Sequence, residues 1–246
     1  MESRAGKLPS FLVDGVLAVD AGSLTSELSA GQQAEVKAIL LSHGHYGHIK
    51  AVPAYAFGNQ ERVTEVLGTG IALGILTSHL MDGVIYPKFG DGSSYLSRKV
   101  LDLCPIEAYQ ERTVEAYRVL AVPALHPAGA VGFEIEDRDG SRILYSGDTG
   151  PGVVALWEQA SPQVLIVETT FPDRLEDRAR QAGHLCPRLL EEELTAFERA
   201  KGYLPRVVVI HTSPRFHEEI VAEAQAMASK LDLSLTIPRE GDSLAV

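Results

Sequence analysis

The alternation of apolar and polar positions divides the chain into many short strands and a few longer helices. Phe11–Val13 and Val16–Val19 flank Asp14-Gly15, a dipeptide that favours a two-residue hairpin turn. Ala38–Leu41 is a short apolar run that predicts a buried strand ending at Ser42. Gln60–Leu67 and Ile71–Leu80 carry apolar residues at helical spacing, interrupted by Gly68 and Gly70. Val114–Val122 and Val131–Asp137 predict strands, and Asp139-Gly140 turns the chain into a further strand, Arg142–Tyr145. Pro151 suits a first helical position and predicts a helix running to about Ala160. Val164–Val167 and Val207–Ile210 read as buried strands. Between them a helix starts near Pro187, buries Leu190, Leu194 and Phe197, and turns Glu191 to Glu193 mostly to water. A last helix carries Ile220, Ala224, Met227 and Leu231 on one face, and Leu235–Ile237 closes the chain as a strand. Strands then helices, in two rounds, predict an α/β architecture. Two sheets pack face to face with helices on the outer faces, in one domain over residues 1–246.

Composition narrows the partners. Of the 246 residues, 45% are hydrophobic and 22% charged, as in an ordinary globular chain. No apolar run reaches the roughly 18 residues of a membrane span, and the opening MESRAGKLPS has no apolar signal core. No export and no membrane partner are expected, and the cytoplasm is the default location. Cys104 and Cys186 are far apart in sequence and read as reduced thiols. The net charge of −11, from 22 basic and 33 acidic residues, argues against nucleic acid as a partner, because that grip rests on Lys and Arg neutralising phosphates. A small anionic substrate stays compatible, since a bound cation reverses the local field. A homodimer is left open.

The sharpest chemical signal is Ser42-His43-Gly44-His45-Tyr46-Gly47-His48, directly after a predicted strand. Three imidazoles spaced two and three apart suit Zn²⁺, which takes neutral nitrogen ligands at about 2.0–2.1 Å. Gly44 and Gly47 are expected to let the backbone turn sharply between them, and Tyr46 to pack. Further donors stand near strand ends: His126 after Val119–Leu125, Asp148 within Tyr145-Ser146-Gly147-Asp148-Thr149-Gly150, and His211 after Val207–Ile210. Taken singly, each has an ordinary structural explanation. Taken in this order, they read as ligands gathered at one edge of a sandwich.

This His-x-His-x-x-His segment followed by His126, Asp148 and His211 resembles the ligand series of the metallo-β-lactamase superfamily. The resemblance implies an αβ/βα four-layer sandwich with one or two Zn²⁺ ions, Mn²⁺ or Fe being alternatives. It implies that His43, His45 and His126 hold one metal, that Asp148 bridges two, and that His48 and His211 serve the second. One position departs: the family usually has Asp before the third His, and here that residue is Gly47. A weakened second site is expected, and a catalytically impaired relative is an alternative.

Within that superfamily, three segments are similar to class II 3′,5′-cyclic nucleotide phosphodiesterases: Asp20-Ala21-Gly22-Ser23, Thr77 to Phe89, and Val167 to Arg174 with Gly183-His184-Leu185. The resemblance implies hydrolysis of a cyclic nucleotide to a 5′-monophosphate by a metal-bound hydroxide. His184 is then the candidate acid for the leaving 3′-oxygen and Glu168 its orienting partner, a pairing also found in tRNA 3′-processing nucleases of the superfamily. His79, Tyr86 and Phe89 are candidate substrate-binding residues, the two aromatics as stacking faces for a base. The competing enzyme reading is another hydrolase of the same fold, acting on RNA ends, a thioester or a lactone.

Overall fold

A computed structural model describes residues 6–90 and 98–246. The chain forms two compact units, Lys7–Glu107 and Ala108–Val246, each built on its own mixed sheet.

The first unit carries strands β1 (Phe11–Val13), β2 (Leu17–Val19), β3 (Ala38–Leu40), β4 (Thr64–Gly68) and β5 (Leu101–Pro105), paired in that order. The hairpin β1–β2 is antiparallel and turns at Asp14-Gly15, but Val13 pairs with Leu17, so the connection takes in Val16 and is one residue longer than the expected two-residue turn; β2 to β5 are mutually parallel. Between them lie helices α1 (Leu24–Glu27), α2 (Ala30–Glu35), α3 (Tyr46–Ile49), α4 (Val52–Gly58) and α5 (Gly70–Ile75). Strands β2 and β3 are buried at every residue, as interior parallel strands covered on both faces must be. Ile39, Leu41, Val66, Tyr55, Leu76 and Phe89 share the core, and the Tyr55 hydroxyl donates to the Val36 carbonyl at 2.8 Å.

The second unit carries β6 (Glu111–Val114), β7 (Tyr117–Pro123), β8 (Val131–Glu136), β9 (Arg142–Tyr145), β10 (Val164–Glu168), β11 (Arg206–Ile210) and β12 (Leu235–Thr236), adjacent in chain order across the sheet. Strands β6 to β9 form an antiparallel meander, and β9 to β12 run parallel. Helices α6 (Glu176–Ala182), α7 (Pro187–Lys201) and α8 (His217–Leu231) complete it. Helix α7 buries Leu189, Leu190, Leu194 and Phe197 in a core with Trp157, Leu165 and Val207, each large side chain contributing about 1.5–3 kcal/mol.

Four local expectations are corrected. Gln60–Leu67 is not helical: Thr64–Gly68 is strand β4, held between β3 and β5, where sheet pairing outweighs a helical pattern too short to be decisive. Val114–Val122 is not one strand, because the chain turns at Glu115 (φ +54°) between β6 and β7. Pro151 opens no helix beyond a single turn, Val154–Leu156. Gly152 sits at φ +90°, outside helical space, and the Glu193 carboxylate accepts from the backbone N–H groups of Gly152 and Val154. Glu193 is therefore buried rather than facing water.

Candidate active site

In the first unit, the parallel strands β2 and β3 end side by side, and each delivers a polar residue from its carboxyl end. Asp20 follows β2 and is fully buried at φ +54°, a left-handed conformation uncommon outside glycine. Its Oδ1 accepts from the Ser42 backbone N–H at 2.8 Å, and its Oδ2 from the Ser42 hydroxyl at 2.8 Å and from His48 Nδ1 at 2.6 Å. With Nδ1 held, Nε2 is the nitrogen through which His48 could take a cation, and such an outer partner fixes tautomer and ring orientation in metal sites. His43 is fully buried; its Nδ1 lies 3.0 Å from Ser42 Oγ and its Nε2 3.0 Å from His45 Nδ1. Neither Gly44 nor Gly47 has a positive φ, so sharp turning is not their role. A Cβ at Gly44 would stand 2.5 Å from Ile75 Cδ1, which keeps that position bare; one at Gly47 would meet only Leu8 Cδ2, at an ordinary 3.6 Å.

In the second unit, β7, β9, β10 and β11 point the same way, so their carboxyl ends share one sheet edge. His126 follows β7, Asp148 follows β9, Glu168 ends β10 and His211 follows β11 at φ +55°. His126 Nδ1 donates to the Gly183 carbonyl at 2.7 Å, and its Nε2 stands 3.9 Å from Asp148 Oδ2. Gly183 has φ +70°, and a Cβ there would press within 3.2 Å of His126 Nδ1. Glu168 is fully buried and accepts five hydrogen bonds. Oε1 takes His184 Nδ1 at 2.7 Å, Leu185 N at 3.2 Å and Thr149 N at 3.3 Å. Oε2 takes Thr170 N and the Thr170 hydroxyl, both at 2.9 Å. Thr170 Oγ1 lies 2.8 Å from His211 Nδ1, which also sits 3.7 Å from Asp148 Oδ1. The His184 ring is centred 4.7 Å from His126 and stacks 5.8 Å from His211.

A family model described as a Beta-lactamase superfamily domain matches residues 10–212. The chain belongs to the metallo-β-lactamase superfamily. A 3′,5′-cyclic-nucleotide phosphodiesterase of Aliivibrio fischeri is 25% identical over 236 residues, which cover 85% of this chain and 70% of that protein. A ribonuclease Z of Halorubrum lacusprofundi is 29% identical over 144 residues, 58% of this chain and 40% of its own length. Among solved structures, the metallo-β-lactamase-fold protein YhfI of Bacillus subtilis superposes with a TM-score of 0.71 at 17% identity, covering 98% of this chain and 92% of that one. The expected metallo-β-lactamase fold is thus present, and a metal-dependent hydrolase is the general class.

The donors within each unit fit a divalent cation. Two atoms that share one ion with ligand distances of about 2.0–2.1 Å must lie within about 4 Å of each other. His43 Nε2 and His45 Nδ1 satisfy this in the first unit, and His126 Nε2 and Asp148 Oδ2 in the second. Each of His48 and His126 also has its other nitrogen held by an outer partner, as ligating imidazoles do.

Of the remaining sequence candidates, His79 is exposed, on the π-helical turn Leu76–Leu80 with Nδ1 2.7 Å from Ser78 Oγ. Tyr86 is half-buried against the first core. Phe89 is fully buried, so its ring has no face for a base, and the expectation of stacking there is withdrawn. Tyr46, expected to pack, is 60% exposed. Sequence reading assigned no role to Asp20, Ser42 or Thr170. Asp20 had a usable signal: it directly follows a short apolar strand. Thr170 had none, since the two imidazoles it meets lie 14 and 41 residues away.

Proposed function

We propose that the protein is a metal-dependent phosphodiesterase that opens 3′,5′-cyclic nucleotides to 5′-monophosphates. The observation that carries this reading is the Glu168–His184 pair, joined at 2.7 Å beside His126 and His211. The similarity to a bacterial cyclic-nucleotide phosphodiesterase supports the substrate class. In this reading His43, His45, His126 and Asp148 would hold one Zn²⁺, and His48 and His211 would serve a second ion with Asp148. When bound, such ions supply positive charge to the phosphoryl oxygens and make water a nucleophile near neutral pH.

The chain's own residues do the rest. Glu168 accepts from His184 Nδ1, which holds the ring in place and leaves Nε2 as the nitrogen that meets the substrate. As the imidazolium, His184 then gives its Nε2 proton to the departing 3′-oxygen, which is too basic to leave as the bare alkoxide, and is left neutral with Nδ1–H still on Glu168. Thr170 ties His211 Nδ1 and Glu168 Oε2 into one network, so the proton donor and a ligand imidazole move as a unit. The similarity to ribonuclease Z supports a second reading, cleavage at RNA ends, against which the net charge of −11 weighs.

The test begins with bound metal per chain. Cyclic AMP, cyclic GMP, bis(4-nitrophenyl) phosphate and a precursor tRNA are then assayed with Zn²⁺ or Mn²⁺. Turnover of a cyclic nucleotide supports the proposal. Turnover of the nitrophenyl diester or the tRNA, with neither cyclic nucleotide cleaved, moves the assignment to another hydrolase of this fold. No turnover at full metal loading identifies a relative impaired by Gly47.

A further inference from the structure

The arginines around helix α6 are paired with carboxylates, with one exception. Arg174 bonds Glu219 at 2.8 Å, Arg180 bonds Glu176 at 2.9 Å, and Arg188 reaches Glu176 at 3.5 Å. Arg178 is exposed on the same helix, and no carboxylate pairs with it among the described residues. Its guanidinium lies instead over the ring of Phe171, 5.6 Å from the centroid. Phe171 follows strand β10 by three residues, and its ring meets that of His184 edge-on at 5.9 Å. The backbone N–H groups of Thr170 and Phe171 both donate to the Leu185 carbonyl, at 3.1 and 3.2 Å. The ring is therefore tied to the segment that carries the proton donor.

A guanidinium over a phenyl ring is held by the ring's negative face. Being planar and weakly hydrated, it offers its outer face to another flat group, and nucleobases stack on such planes. A site for phosphate charge alone would need a cation but not a plane backed by an aromatic ring. We propose that Arg178, seated on Phe171, is the platform on which the base of a nucleoside phosphodiester stacks, on the leaving-group side of His184. This inference rests on the phosphodiesterase reading and adds where the base is recognised.

The test measures equilibrium binding to the metal-loaded protein by calorimetry, with adenosine 5′-monophosphate and ribose 5-phosphate as probes. They share a phosphate and differ by the base. The wild type is expected to bind the nucleotide more tightly. Arg178→Ala is expected to raise the Kd for the nucleotide about 10-fold, the low end of base-stacking effects, and to leave ribose 5-phosphate unchanged. Arg178→Lys keeps the charge without the plane and is expected to behave like the alanine variant. Restoration by lysine, equal weakening of both probes, unchanged nucleotide affinity in Arg178→Ala, or a wild type that does not prefer the nucleotide would each overturn the platform. Cyclic-nucleotide turnover is measured in parallel. Absent turnover with the binding pattern intact removes the phosphodiesterase reading and keeps the platform. Intact turnover with an unchanged binding ratio removes the platform alone.

Discussion

Replacing His184 with alanine separates proton donation from every other function of the site. Its structural cost is bounded by what remains around Glu168. The carboxylate loses its 2.7 Å bond to His184 Nδ1 but keeps Leu185 N and Thr149 N on Oε1, and Thr170 N and Oγ1 on Oε2. One charge-assisted bond is removed from a group that retains four donors, a loss of about 1.5–3 kcal/mol, less than the roughly 5–15 kcal/mol that holds a domain folded. The variant should therefore fold and, because His184 is outside the proposed ligand set, keep its metal. The chemical cost depends on the leaving group. Positioned acids contribute roughly 10²–10⁴ in rate, about 3–5 kcal/mol of barrier. That help matters where a basic sugar alkoxide departs and hardly at all where nitrophenolate departs unprotonated. The expected outcome is a fall in kcat of about 10²-fold or more on a cyclic nucleotide, against less than about 10-fold on bis(4-nitrophenyl) phosphate. Metal content and melting temperature, measured on the same preparations, exclude trivial loss. Equal losses on the two substrates would refute proton donation and leave His184 a positioning residue. Glu168→Gln, which keeps the imidazole but puts an amide N–H among donors, should fall between wild type and His184→Ala on the cyclic nucleotide.

Three further outcomes follow from particular residues. Gly47→Asp should raise bound metal per chain, since a Cβ there meets only Leu8 Cδ2 at 3.6 Å and the added carboxylate is a hard oxygen ligand; unchanged stoichiometry by elemental analysis would show that this glycine does not weaken the second site. Burial holds the Glu134 carboxyl above its usual range, although the Ser161 N–H opposes this. Folding is therefore unpenalised below the ordinary carboxylate pKa, and stability is lost as pH rises through the raised value. Glu134→Gln keeps an acceptor for Ser161, so its melting temperature should gain on the wild type between about pH 4 and about pH 8; a constant difference across that interval would contradict the burial account. Burial also pushes the Cys186 thiol up to about 12, which leaves a thiolate fraction of roughly 10⁻⁴ at pH 8. Iodoacetamide should therefore label half-buried Cys104 well before Cys186 in the native protein, as peptide mass analysis would read.

What could be read from the sequence, and what could not, divides along contact range. His43, His126, Asp148 and His211 each follow an apolar run, and a run of that kind ends where a strand's carboxyl end meets the sheet edge. That rule is local, so the strand-end donors are legible in the sequence. The hairpin at Asp14-Gly15 and the buried face of α7 were legible for the same reason. The partners that orient the donors are not local. Asp20 reaches His48 across 28 residues, His126 reaches the Gly183 carbonyl across 57, and Thr170 reaches His211 across 41. The misread Pro151 segment failed likewise, because Glu193 captures the N–H groups of Gly152 and Val154 from 41 and 39 residues away. Phe89 shows the converse error. An aromatic beside polar residues offers the same local pattern whether its ring is in the core or in a pocket, and only packing separates the two. Asp20 and Glu168 use the same device: a fully buried carboxylate at the carboxyl end of a parallel strand, saturated by backbone and hydroxyl donors, with one imidazole Nδ1 among them. Saturation fixes each carboxylate in place. Each therefore orients one imidazole by its Nδ1, and under the proposed function His48 would ligate and His184 would donate a proton, two tasks that differ by what lies beyond Nε2 rather than by how the ring is held.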